Sequence, residues 1–186
     1  MKKLALIASS LLLGASLASA AVYKVDGAHS EVGFKVKHLM VSNVNGKFTD
    51  FSGEYDLAGG VFKSLTGVIQ ADSIDTGNEN RDDHLRNADF FDVEKYPEIK
   101  FVMTSATKKE MTGNLTMHGV TKKVTLKIDM GGEVKGMRGE MRSGFTLSGK
   151  LSRKDFGLTW NKALEAGGVA VGDEIRLNIE IEGIAK

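Results

Sequence analysis

The residues best equipped for chemistry lie together in one short stretch, Asn78 to Arg86 (NENRDDHLR), where Arg81, His84 and Arg86 accompany Asp82 and Asp83. If the stretch is helical, Arg81 and His84 are three apart and share a face. An arginine there can pair with a phosphate or a quinone oxygen, and a histidine can donate a hydrogen bond or exchange a proton. His29 and His38 are two further candidates. The competing reading is that Asp82, Asp83 and Asp89 neutralise these bases in a surface or capping network. Other chemistry is poorly supplied. The chain has no Cys, which excludes thiol catalysis and thiolate metal sites. Its four His include no H-E-x-x-H pair, no G-x-S-x-G elbow is present, and the acids are spread without an evident acid/base pairing. Asp82-Asp83-His84 has ligand types that a divalent ion accepts, but adjacent helical positions point apart. No catalytic residue, metal or cofactor is expected.

The elements that must position these groups are strands. Val32, Phe34 and Val36 alternate with Glu31, Gly33, Lys35 and Lys37, giving one apolar and one wet face. The same period of two returns at Phe51, Tyr55 and Leu57, at Ile99, Phe101 and Met103, at Val124 to Met130, and at Ile175 to Ile181. Between the runs stand turn signals: Asn45-Gly46, Gly59-Gly60, His118-Gly119 and Gly131-Gly132. The pattern predicts an all-β antiparallel meander that hides its edges by closing into a barrel; a two-sheet sandwich is the rival. One short helix near residues 78–86 breaks the period, capped by Thr76 or Asn78, and the Phe90-Phe91 pair follows it. The helix is expected across a barrel mouth or flank.

The chain opens MKKLALIASSLLLGASLASA, with basic Lys2 and Lys3, an apolar stretch from Leu4 to Leu13, and Ala18-Ser19-Ala20 as a small-residue cleavage pattern. It reads as a signal peptide of residues 1–20, cut before Ala21, exporting one domain of residues 21–186 to the periplasm. The apolar part is too short for a membrane-crossing helix. The leader takes two of the 25 basic residues and none of the 24 acids, leaving a net charge of −1. So balanced a surface does not suit nucleic acid. With only three Tyr and one Trp, the aromatic girdles of an outer-membrane barrel are not supplied either.

The stretch SIDTGNENRDDHLRNADFFDVEKYPEIKF, Ser73 to Phe101, resembles the central signature of the YceI family of lipocalin-like, polyisoprenoid-binding proteins. Asp26 to Ser30 with Val32, Phe34 and His38 resembles that family's opening strand, and Gly113 to Thr121 its hairpin signature. Arg153 to Leu158 and Val171 to Ile175 are similar to its two remaining blocks. Asn114 and His118 depart from the hairpin pattern, which often has an acid and a smaller apolar residue there.

The resemblance implies a barrel of about eight strands, an elongated apolar cavity, and a soluble periplasmic carrier of a polyisoprenoid, isoprenoid quinone or similar lipid, for transport, storage or stress response. Inward positions expected to touch such a ligand are Phe34, Val36, Phe51, Ile69, Phe101, Leu115, Phe145 and Leu147. Leu85, Phe90, Phe91, Leu158 and Trp160 join them, with His38, Arg81 and His84 at the polar end. Any single apolar position also serves as plain core. Gly33, Gly53, Gly67, Gly144 and Gly149 fall inside strand-like runs, as bends or as room for a ligand. The alternative activity is an enzyme acting on an isoprenoid lipid, with His84 or His38 as acid/base. A homodimer is compatible with the resemblance, whereas outward charges such as Lys35 and Glu180 would suit a monomer.

Overall fold

The computed structural model describes residues 21–165 and 167–186; the expected leader and its cleavage point fall outside them. β1 (Ala21–Val25), β2 (Glu31–His38), β3 (Ser42–Phe48) and β4 (Phe51–Ala58) form one long hairpin, bent at residues 26–30 and 49–50. Tyr23 of β1 faces Tyr55 of β4, and Phe34 of β2 faces Gly46 of β3. The chain continues through β5 (Val61–Gln70), the short β6 (Ile74–Asp75), α1 (Glu79–Arg86), β7 (Glu98–Ala106), β8 (Glu110–Met117), β9 (Val120–Lys135), β10 (Met141–Ser152) and β11 (Val171–Ala185).

Every pairing is antiparallel, and β11 returns to both β2 and β1, with Leu177 opposite Phe34 and Ala185 opposite Tyr23. The ring β1-β4-β5-β7-β8-β9-β10-β11 is thereby a closed eight-stranded barrel, not a sandwich. Alternation places the faces as the period of two requires. In β11, Glu174, Arg176, Asn178 and Glu180 are exposed, while Ile175, Leu177, Ile179 and Ile181 between them line the interior. That is the reverse of the apolar exterior of a membrane-spanning barrel. No helix among the described residues is long and apolar enough to cross a bilayer.

Two of the four turn signals are turns. Gly59-Gly60 and His118-Gly119 both hold positive φ, as two-residue hairpin loops demand. Asn45-Gly46 lies inside β3 instead. Its glycine is required because the Phe34 ring lies flat on it; a Cβ there would sit 2.3 Å from Phe34 Cζ. The chain reverses earlier, at Leu39 and Met40. Gly131-Gly132 lies inside β9 beside an irregularity against Gly144 and Phe145 of β10, a place where glycine relieves a bulge, and the reversal falls at Gly136 to Glu140. For α1, Asn78 is the cap: its side chain accepts from the Arg81 N–H at 3.0 Å.

The core falls into two clusters along the barrel. One surrounds Phe48, Ile74, Phe156 and Leu158; the other surrounds Tyr23, Tyr55, Phe62, Leu126 and Phe145. Tyr23 and Tyr55 stack at 5.2 Å, and Phe145 meets Tyr55 edge-on at 5.0 Å. The Tyr55 hydroxyl reaches Ser143 and that of Tyr23 the Glu133 carboxylate. Burial pushes both phenols above their ordinary range, and Glu133 pushes Tyr23 further. The native state therefore holds these protons more tightly than the unfolded chain does. Their contribution is complete below the unfolded tyrosine value of about 10 and is lost as pH rises beyond it. Urea midpoints should fall between pH 8 and pH 11, and Tyr23→Phe should reduce that fall; equal slopes for the two proteins would refute the assignment.

Candidate functional site

Two cavities occupy the barrel. The larger, about 320 Å³, lies among β2, β3, α1, the Phe90-Phe91 pair, the Leu158 to Trp160 segment and the start of β11. The smaller, about 110 Å³, lies among β4, β5, β7, β8, β9 and β10. Leu177 lines both.

Of the residues expected from sequence to meet a ligand, Phe34, Val36, His38, Arg81, His84, Leu85, Phe90, Phe91, Leu158 and Trp160 line the larger cavity. Phe51, Ile69, Phe101, Leu115, Phe145 and Leu147 line the smaller. Two of the weighed bases lie elsewhere. His29 is exposed and pairs with Asp26 at 2.9 Å. Arg86 turns away to the Asp72 and Ile74 carbonyls and to Asp83, at 2.7, 3.0 and 2.9 Å, because it stands two positions from His84 on the helix and so points off its face.

Other wall residues were not singled out from sequence as ligand contacts: Val44, Phe48, Met117, Arg153, Ile175 and Leu177 among them. Ile175 and Leu177 carried a usable signal, the period of two; Arg153 carried none.

The polar groups divide unevenly. Lys37, His38, Arg81, His84 and Arg153 all line the larger cavity, the smaller has no ionisable side chain but the Tyr55 phenol, and no Asp or Glu lines either. His84 and Arg86 do find acidic partners: His84 Nε2 is 3.0 Å from Asp89, and Arg86 meets Asp83. Arg81 does not. Asp82, the buried acid beside it, instead accepts from the Thr76 N–H at 3.0 Å. Arg81 donates from Nε to Thr76 Oγ1 at 2.7 Å and from Nη2 to the Thr76 carbonyl at 2.9 Å. Its guanidinium is thus aimed by neutral acceptors, and among the described residues it makes no salt bridge.

Aromatic rings hold the wall in shape. His84 stands edge-on to Phe90 at 5.0 Å and to Trp160 at 4.9 Å, and Phe90 to Trp160 is 5.1 Å. Phe91 meets Phe48 edge-on at 5.8 Å, and Phe48 tilts against Phe34 at 5.7 Å. Gly53 and Gly67 face each other across β4 and β5 in the wall of the smaller cavity. The cationic donors thus lie in the wall of the larger cavity and none lies in the wall of the smaller.

Comparison with known proteins follows the same line. The family model of the YceI-like domain matches residues 23–183. A UPF0312 protein of Photorhabdus laumondii is 41% identical over 97% of this chain and 95% of its own. The crystal structure of the Campylobacter jejuni YceI protein is 40% identical, covers 87% of this chain and 96% of that one, and superposes with a TM-score of 0.70. A polyisoprenoid-binding domain from Saccharophagus degradans, implicated in plant cell wall breakdown, has a TM-score of 0.66 at 14% identity, over 89% of this chain and 99% of that one. At that identity the likeness speaks for the fold alone.

Proposed function

This chain belongs to the YceI-like family, and from that membership we propose that it is an exported, periplasmic carrier that holds one long isoprenoid-type lipid inside its barrel. The observation that carries the reading is the uneven polarity of the interior: Arg81, which makes no salt bridge among the described residues, lines the larger cavity, and the smaller cavity has no ionisable side chain but the Tyr55 phenol. Each methylene removed from water contributes roughly 0.8 kcal/mol, and ordering the chain offsets much of this. The tail thus supplies affinity and the head supplies choice. Membership of the family that the sequence signatures resemble motivates this class of cargo, and the leader with Lys2 and Lys3 supports export.

Trp160 is the only tryptophan in the chain and lines the larger cavity, so its fluorescence reports occupancy. Titration with an isoprenoid quinone and with a polyprenyl phosphate should change its emission to saturation at one equivalent, and native mass spectrometry should show the bound lipid. A protein that stays empty and spectroscopically silent with both would sink the proposal. Arg81→Gln should weaken the phosphate about tenfold, since a hydrogen bond to a charged group contributes roughly 1.5–3 kcal/mol, and should weaken the neutral quinone less, because the Gln amide still donates to a carbonyl oxygen.

A further inference from the structure

The reversal between β2 and β3 presents three consecutive apolar side chains to solvent: Leu39 is 40% exposed, Met40 52% and Val41 81%. Leu39 and Met40 hold φ of 50° and 64°, a left-handed conformation that glycine or asparagine enters with less strain. The backbone is fixed there by Leu39 N–H donating to the Ala170 carbonyl at 2.9 Å and Val41 N–H to the His38 carbonyl at 3.1 Å. The tip continues directly from Val36, Lys37 and His38, which line the larger cavity.

Charge on the hairpin itself is one-sided. From Val32 to Thr49 the hairpin has Lys35, Lys37 and Lys47, with His38, and no Asp or Glu, in a chain whose total is close to neutral. The adjoining segment of residues 161–170 adds one lysine and one acid, Lys162 and Glu165. The other exposed apolar hairpin, with Val134 and Met137, differs: Glu133, Lys135, Arg138 and Glu140 mix both signs there. Glu165 in the 161–170 segment, and Asp173 and Glu174 on β11 beside Val36 to His38, are the acids nearest the β2–β3 tip. An apolar tip carried on a hairpin whose own charges are lysines matches an anionic bilayer interface, where apolar side chains enter the acyl boundary and lysine stems reach back to the head groups.

We infer that the β2–β3 tip docks this protein on anionic bilayers, Leu39, Met40 and Val41 entering the interface and Lys35 and Lys37 meeting the head groups. Docking would set the wall of the larger cavity against the membrane. This step rests on the proposed lipid-carrier role, because only a membrane-derived cargo gives the contact a use.

The test is co-flotation of the protein with vesicles of phosphatidylcholine alone and of phosphatidylcholine mixed with phosphatidylglycerol. The protein should float with the mixed vesicles and not with the neutral ones, and raised salt should release it. The triple variant Leu39→Ser, Met40→Ser, Val41→Ser should lose at least tenfold in vesicle binding. Lys35→Gln with Lys37→Gln should lose roughly fivefold per lysine near the surface. Quinone titration of Trp160 in the triple variant should match the parent, showing an intact cavity. Absence of flotation, or flotation unchanged in the variants, overturns the docking site while a saturable quinone titration leaves the carrier role standing. A protein that floats yet binds no isoprenoid overturns the carrier role instead. Self-association that the triple variant abolishes, without flotation, assigns the tip to a second copy and also overturns the inference.

Discussion

Replacing Arg153 by methionine is expected to lower the urea midpoint sharply and to release the segment that walls the larger cavity. Arg153 is 3% exposed and works as a clamp. Its Nη1 donates to the Leu158 and Trp160 carbonyls at 2.6 and 2.8 Å, Nε to the Gly172 carbonyl at 3.0 Å, and Nη2 to Asp173 at 3.2 Å. These acceptors lie at both ends of the excursion between β10 and β11, so one planar fork pins the segment shut. Methionine fills the volume and satisfies none of them, at roughly 1–3 kcal/mol for each buried carbonyl left without a donor. Lysine, a single point charge, cannot serve the same set. Burial pushes the guanidinium pKa down, from so high a start that it keeps its charge. Denaturation should place the loss near 3 kcal/mol or more, and limited proteolysis should open residues 157–170 first. An unshifted midpoint with a protected segment would show that the carbonyls find other donors.

Gly67→Leu should separate affinity from stability. A Cβ at Gly67 meets only the Ser52 carbonyl, at 3.9 Å, so the side chain can grow into the smaller cavity without displacing backbone. Removing a strand glycine also contributes roughly 0.5–1 kcal/mol through the unfolded chain. By comparison, a dry cavity of about 150 Å³ takes a six-carbon ring; the 110 Å³ here suits about four carbons of a tail on that scale. Turning four methylenes out costs about 3 kcal/mol, a loss on the order of a hundredfold in affinity for long chains. Short-chain analogues that stop at Leu177 should bind as before. The measurement is a Trp160 titration over a series of chain lengths, beside a thermal melt. Equal losses for short and long chains would place the tail elsewhere.

Much of the cavity wall was legible in the sequence because in a barrel a single period decides which side chains point inward. Ile175, Leu177 and Ile179 against Arg176, Asn178 and Glu180 are read by that rule alone. The position of α1 was legible too, since Asn78 caps it from within its own sequence. What failed were the readings in which a local signal answers to a distant partner. Asn45-Gly46 looks like a hairpin loop, yet Gly46 serves the ring of Phe34 on the neighbouring strand. Arg86 looked equivalent to Arg81, but carbonyls at Asp72 and Ile74 claim it. Arg153 was visible only as part of a resembling block, because its acceptors come together through folding. Gly53 and Gly67 stood out in the sequence as strand glycines, but that they meet across β4 and β5 in the wall of the smaller cavity came only with the fold.

The seam between β1 and β11 has a consequence for how the molecule comes into being. Tyr23 pairs with Ala185, and Val22 accepts from the Lys186 N–H at 2.9 Å, so the two ends of the described chain close the ring. A growing chain that has delivered β1 to β10 still has an open sheet with an apolar face. Closing so long a loop is slow, and until it closes the open edge is exposed to wrong pairing. β11 lines both chambers, so neither is fully walled until that strand closes the ring.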